Sequence, residues 1–244
     1  MLPLIPYALA LPLLGGPGPT APDSLIIFNA SRTYHYQAIF ISPAGDTLSR
    51  ERITMQPSGQ PWAGQPKVQT ACTIQYRYSP GDSLTFAARP NPQNQPGRQP
   101  QAYEWRKSTV TGVIENPQEI WMHPIRSNQY AYTEVAPFPQ VRPADLHPGG
   151  SWRGGRLFIM GGWGAFKGSV QPFYQVKAPA TRRYGNQDLA GCWLIEAVGR
   201  HSRLGNSYLD FYFHPRYGFT EMHYRFFDGT RVLLVLEGLP TGNK

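Results

Sequence analysis

Apolar and polar residues alternate along much of this chain, and the alternation predicts its secondary structure. In the clearest case Val68, Thr70, Cys72, Ile74, Tyr76 and Tyr78 fall on one face of a single strand. Similar segments, each cut off by turn residues, predict strands at Leu25–Phe28, Tyr34–Ile41, Thr47–Met55, Val68–Tyr78, Ser83–Ala88, Glu104–Ile114 and Gln118–Met122. Further candidates are Gln129–Val135, Arg156–Met160, Phe173–Lys177, Cys192–Val198, Tyr208–Phe213, Phe219–Phe227 and Thr230–Glu237. No 3.6-residue period persists long enough for a substantial helix, and no internal repeat is visible. About a dozen strands at this spacing predict an all-β fold, an antiparallel barrel or sandwich.

The C-terminal segment predicts its own register. Asp228-Gly229, between Phe227 and Thr230, suits a two-residue type I′ hairpin turn, which needs positive φ at both positions. Such a turn sets Met222 opposite Val235, Tyr224 opposite Leu233 and Phe226 opposite Arg231. It also sets His223 against Leu234 and Arg225 against Val232. Upstream, the turn Pro215–Gly218 pairs Phe213 with Thr220, Phe211 with Met222 and Leu209 with Tyr224. Together they predict a three-stranded meander with a core face of Leu209, Phe211, Phe213, Met222, Tyr224, Phe226, Leu233 and Val235. Tyr208, Asp210, Tyr212, Glu221, His223 and Arg225 are expected in solvent on the other face. The last strand carries Leu234 and Leu236 on that face too, so another part of the chain must cover it.

Composition agrees with strands joined by many turns: 25 Pro, 25 Gly and 13% aromatic residues. Gln56–Pro66 and Arg89–Gln101 are so rich in Pro, Gly and Gln that loops are expected there. Pro137–Gly155, a long loop in the same style, also carries Phe138, Leu146 and Trp152, the anchors of a segment packed over something. Residues 1–22 are uncharged, with an apolar run leading into a Pro/Gly tract. They are expected to be a signal-like or disordered N-terminal segment ahead of a single β domain at 23–244, although the basic start of a signal peptide is missing. On the signal reading the mature chain begins within Leu14–Asp23 and works outside the cytoplasm, periplasmic or secreted. Nothing else approaches the ~18 apolar residues of a membrane span, and no transmembrane span is expected.

Charge changes the picture little. Lys and Arg number 23 against 15 Asp and Glu, a net charge of +8 that favours anionic partners. The cations are dispersed, however, with Arg182-Arg183 and nearby Lys177 the densest group, and nucleic acid is not the expected partner. Oligomeric state is left open. Cys72 and Cys192 could pair in an exported protein or could be small buried hydrophobes, and both readings stand.

Candidate chemistry is sparse. Asp210 and His223 face each other in the predicted register, but no nucleophile motif accompanies them, and an ordinary cross-strand surface pair is the expectation. Glu115, Glu119 and His123 lie between prolines with no HxH, HExxH or CxxC. No catalytic residue, metal ligand or cofactor is therefore assigned. Glu104, Glu115, Glu119 and Glu134 are the candidates for a glycosidase-type carboxylate pair. The glycine-rich turns around Trp152 and Trp163 lack a phosphate-loop context; the two indoles either plug the fold's ends or line a cleft for an apolar group or sugar. Phe138, Trp152 and Trp163 are the candidate ligand-binding residues.

The run His214-Pro215-Arg216-Tyr217-Gly218-Phe219, followed by Tyr224 and Asp228-Gly229-Thr230, resembles uncharacterised exported bacterial proteins built as open β-barrels, similar to lipoprotein-carrier folds. That resemblance implies an apolar cavity or groove and no catalytic residues. The expectation is an extracytoplasmic, non-enzymatic β-barrel binding an amphiphilic small molecule or lipid, with Pro137–Gly155 as a lid. The alternatives are a glycan-binding or glycan-cleaving β-sandwich and a structural or interaction protein of the cell envelope.

Overall fold

Strand β1 (Arg32–Ile41) buries Tyr34, Tyr36, Ala38 and Phe40 and turns His35 and Gln37 to solvent, the period-two pattern of a sheet with one covered face. Its neighbours repeat the pattern. They are β2 (Thr47–Pro61), β3 (Thr70–Arg77), β4 (Ser108–Glu115), β5 (Ile120–Met122), β6 (Gln140–Val141) and β7 (Ser151–Arg153). After these come β8 (Leu157–Ile159), β9 (Gly168–Tyr184), β10 (Gln187–His201), β11 (Gly205–His214), β12 (Gly218–Arg225), β13 (Arg231–Leu236) and β14 (Thr241–Gly242). The computed structural model describes residues 25–65, 68–81 and 106–242; the tract 1–22, Ser83–Ala88 and Arg89–Gln101 lie outside them.

The strands form one antiparallel sheet in the order β6-β5-β4-β3-β2-β1-β13-β12-β11-β10-β9-β7, with β14 beside β1 and β8 beside β9. The sheet curls until its ends meet: Trp152 Nε1 of β7 donates to Gln140 Oε1 of β6 at 3.3 Å, and Arg142 donates to the Arg153 carbonyl. Side chains, not a backbone ladder, make this junction, so the fold is an open barrel with a seam.

Aromatic side chains fill the interior. Tyr34, Tyr36, Phe211, Phe213 and Tyr224 are all at most 1% exposed. Two of the hydroxyls are satisfied from within, Tyr34 donating to the Ile27 carbonyl and Tyr36 to the Phe219 carbonyl, while that of Tyr224 is buried without a partner among the described residues. One end is packed by Ile27 and Phe28, the latter against Phe219. Toward the other, Tyr130 stacks on Tyr76, and Tyr132 meets Phe40 and Phe226.

Four expectations need correction. Leu25–Phe28 is not a strand: its backbone amides are taken by a carboxylate, as the Glu115 oxygens accept from Ile26, Ile27 and Phe28 at 2.8–3.1 Å. Asn128–Val135 is a 3-10 helix, because Gln129 and Tyr130 turn inward to donate to the buried Glu51 carboxylate. Gln56–Pro61 extends β2 instead of looping, with its prolines beside a break in the ladder between Pro57 and Pro61.

The fourth correction concerns the last hairpin. The Phe226 N–H donates to the Thr230 carbonyl at 2.8 Å, Gly229 takes φ +86°, and Asp228 Oδ1 accepts from the Thr230 N–H. The loop thus has three residues, Phe227 to Gly229, not two. Every β12–β13 pair moves by one: Met222 faces Leu234, His223 faces Leu233 and Tyr224 faces Val232. Val232, Leu234 and Leu236 are accordingly the buried residues of β13, and Leu233 and Val235 lie half-buried on the outside. The β11–β12 register agrees with expectation from Leu209–Tyr224 through Tyr212–Glu221; a bulge then pairs Phe213 with Phe219. β13 lies between β12 and β1 inside the sheet, so it offers no free edge. Cys72 and Cys192 are both free and buried.

Candidate functional site: the seam of the barrel

The seam owes its shape to Gly112 on β4. A Cβ there would stand 1.9 Å from Gln69 Oε1 and 2.7 Å from the Trp62 ring, so only glycine lets these two side chains lie flat across the strand. Trp62 then meets His123, whose ring also lies 4.6 Å from Trp121 and 5.5 Å from Phe138 between centroids. Burial, aided by Arg126, pushes the His123 imidazole down to about 3, so it is neutral at physiological pH.

In front of this aromatic group is a cavity of about 220 Å³ between β4–β6 and β8–β9. Ile114, Trp121, Phe138, Leu157 and Tyr174 supply its apolar walls, and Gln69, Glu119 and Gln140 its polar ones. The Tyr174 hydroxyl donates to the Phe138 carbonyl at 2.8 Å, and burial raises its pKa. Trp152 stacks on Tyr174 with centroids 4.9 Å apart and planes within 11°. Gln140 Nε2 donates to Glu119 Oε2 at 2.9 Å. Outward from the seam, Phe158 and Met160 on either side of Ile159 are each 72% exposed, and Val68, beside Gln69, is 60% exposed.

Of the three residues proposed from sequence, Phe138 lines this cavity and Trp152 backs its Tyr174 wall. Trp163 lies elsewhere, half-buried in a separate cluster with Ile159, Phe166 and Val135. Glu119, Trp121, Tyr174, Gln69 and Gln140 complete the site. The last three carry no motif; only the curl of the sheet assembles them.

The glutamates considered as a hydrolytic pair are occupied separately. Glu115 holds the Ile26–Phe28 backbone, Glu134 pairs with Arg126 at 3.0 Å, Glu119 faces the seam, and Glu104 lies outside the described residues. Among the described residues no three His, Cys, Asp or Glu side chains gather as a metal site.

A second hollow, about 550 Å³ and open to solvent, lies on the outer face of β9–β12. Here Asp210 faces Glu196 on one side and His223 on the other. The expected Asp210–His223 juxtaposition is present, yet His223 Nε2 contacts Glu221 Oε2 at 3.1 Å. Burial, reinforced by Glu196, raises the Asp210 pKa. Guanidinium groups cover the aromatic rings nearby: Arg225 lies 4.3 Å over Tyr208, and Arg153 and Arg200 each lie 5.4 Å over Phe173.

No protein-family profile and no curated protein matches the sequence. Among solved structures, a candidate exported protein with a YmcC-like fold from Bacteroides fragilis is similar over 86% of this chain and 96% of its own, with a TM-score of 0.50 and 9% identity. A candidate lipoprotein from Parabacteroides distasonis matches 88% of this chain and 97% of its own at a TM-score of 0.47 and 7% identity. The hypothetical lipoprotein YmcC of Escherichia coli covers 88% of each chain at 0.32 and 7%. The first likeness bears on the fold alone: the open β-barrel of this chain is similar to that of the Bacteroides fragilis protein. No helix among the described residues is long and apolar enough to cross a membrane.

Proposed function

We propose that the chain is an extracytoplasmic, non-enzymatic β-barrel that holds an amphiphilic or lipid-like molecule at its seam. The carrying observation is the seam itself, where the ladder stops and an aromatic cavity with a few polar groups opens instead. The lumen is filled by tyrosine and phenylalanine, so the ligand belongs at the seam and not inside the barrel. At about 220 Å³ the cavity is smaller than the ~300–1,000 Å³ of ordinary ligand pockets, which suits one chain or one head group and not a multi-chain lipid. The exposed Phe158, next along the chain to the cavity-lining Leu157, suits a molecule that arrives from an apolar phase. Extracytoplasmic placement is supported by the apolar, Pro-broken tract at residues 1–22 and by the likeness to a Bacteroides fragilis protein described as exported.

The direct experiment titrates the protein with the fluorescent probe N-phenyl-1-naphthylamine. Saturable binding that Leu157→Asp weakens by about tenfold or more, with folding intact by circular dichroism, supports the reading. No saturable binding, or binding indifferent to Leu157→Asp, overturns it. Export is tested by N-terminal sequencing of protein from its native host, expected to begin within Leu14–Asp23; an intact Met1 counts against it.

A second reading, glycan binding, is favoured by the outer hollow, where Glu196, Asp210 and Gln175 offer hydrogen bonds beside Tyr208 and Phe173. A glycan array decides it: ligands lost on Glu196→Ala support the reading, and an array with no ligand removes it.

A further inference from the structure

On the reading that the seam holds an amphiphile, we infer that its ligand carries a head group that donates hydrogen bonds and is neutral or cationic, such as a polyol or an amine, and not a phosphate, sulfate or carboxylate. The polar residues lining the cavity are Gln69, Glu119 and Gln140, with no Lys or Arg among the lining side chains. In a chain of net charge +8, the one formal charge facing this cavity is negative.

Hydrogen bonding fixes how these groups are presented. An indole only donates and a carboxylate only accepts. Gln140, which gives Nε2 to Glu119 and takes Trp152 Nε1 on its carbonyl, therefore has one possible amide orientation, and both its ends are engaged. Glu119 is held by Oε2, and its Oε1 receives no hydrogen bond among the described residues. Gln69 Oε1 and His123 Nδ1 are also without partners among them, but both are sealed from the cavity, so Glu119 carries the exposed acceptor of its wall. A carboxylate oxygen accepts strong, charge-assisted hydrogen bonds, and a ligand N–H or O–H supplies a donor for Glu119 Oε1. An anionic head would instead bring like charge against Glu119. Arg142, whose charge is felt at Tyr174, gives its Nη2 to the Arg153 carbonyl across the seam and is not among the lining residues.

The test compares four amphiphiles with the same decyl chain, each below its micelle concentration, by calorimetry on the full chain. They are decylamine, decyl glucoside, decyltrimethylammonium and decyl sulfate. Decylamine and decyl glucoside are expected to bind about tenfold or more tightly than the other two. Glu119→Gln should erase most of the gap between decylamine and decyl sulfate while leaving the unfolding midpoint in place. Decylamine and decyl glucoside thus separate an amine source from a polyol source of the same donor chemistry. Equal affinities for all four, still abolished by Leu157→Asp, would overturn the head-group inference and leave the amphiphile reading standing. Decyltrimethylammonium matching decylamine would overturn hydrogen-bond donation in favour of charge alone. Failure of all four to bind overturns the seam reading itself.

Discussion

Arg182 holds Glu221 by two parallel hydrogen bonds, Nε to Oε1 at 2.7 Å and Nη2 to Oε2 at 3.0 Å, and so ties β9 to β12 across the two strands between them. The Tyr184 hydroxyl and His223 Nε2 also donate to the same carboxylate, which is 3% exposed at its side chain. A residue expected in solvent is instead the centre of a buried polar network, because the β9–β10 hairpin brings Arg182 and Tyr184 over it.

Glu221 should make stability depend on acid. Burial alone would raise its pKa, but the hydrogen bonds from His223, Arg182 and Tyr184 together outweigh burial and hold it at about 2, below the ordinary 4.5. A carboxylate depressed on folding stabilises fully above its unfolded value and loses that contribution as pH falls through the folded one. Glu221→Gln is therefore expected to cost roughly 2–3 kcal/mol near neutrality, discounted for the partial exposure of Arg182, and progressively less between about pH 4.5 and 2. Urea midpoints of both proteins across that range measure it. A gap that stays constant with pH would contradict the assignment.

The faces of the meander can be checked in pairs. Phe211 is wholly buried, and Phe211→Ala should cost about 3–5 kcal/mol, whereas Tyr212→Ala, outward beneath the Arg182 guanidinium, should cost under about 1 kcal/mol. On β13, Leu234→Ala should cost about 2–5 kcal/mol and Leu233→Ala distinctly less. Denaturant midpoints decide both pairs. The reverse order at 233 and 234 would restore the two-residue turn.

The cysteines should be silent in the native state. Burial pushes the Cys72 thiol up to about 12 and raises that of Cys192, whose Sγ lies 3.5 Å from the Leu189 carbonyl. Ellman's reagent is expected to find almost no thiol in the folded protein and both after denaturation without reductant. One or none after denaturation would mean a disulfide.

Glu115→Ala should loosen the segment that packs one end of the barrel. It strips the acceptor from three backbone amides, Ile26, Ile27 and Phe28, of which the last two belong to buried residues. The expected cost is about 1–3 kcal/mol, with faster hydrogen exchange at those amides than elsewhere in the protein. Unchanged protection there would show that Ile27 and Phe28 are held by packing alone.

The fold was legible wherever one sheet face is covered and the other wet, as in β1 or β3. It failed at Gln129–Val135, where Gln129, Tyr130, Thr133 and Val135 are all buried and the segment has no alternation to distinguish helix from strand. The last strand failed for a related reason. Val232-Leu233-Leu234-Val235-Leu236 is apolar at every position, so its pattern could not choose a face, and one residue in the turn decided it. At the site, Phe138 and Trp152 could be picked out because they interrupt a Pro-rich loop. Trp163 has the same glycine-flanked setting, which says nothing of its destination. Gln69, Gln140 and Tyr174 come from distant parts of the chain, and only the closing curvature brings them together.

A sheet that curls without joining keeps two free margins, and unpaired strand margins are where proteins recruit one another into aggregates. Here the margins are among the shortest strands in the fold, the two residues of β6 and the three of β7. They also lie against each other, with Gln140 and Trp152 bonded across the gap. A foreign strand would find little backbone to pair with and would first have to part those side chains. The same junction that leaves the barrel unclosed thus guards it against copies of itself.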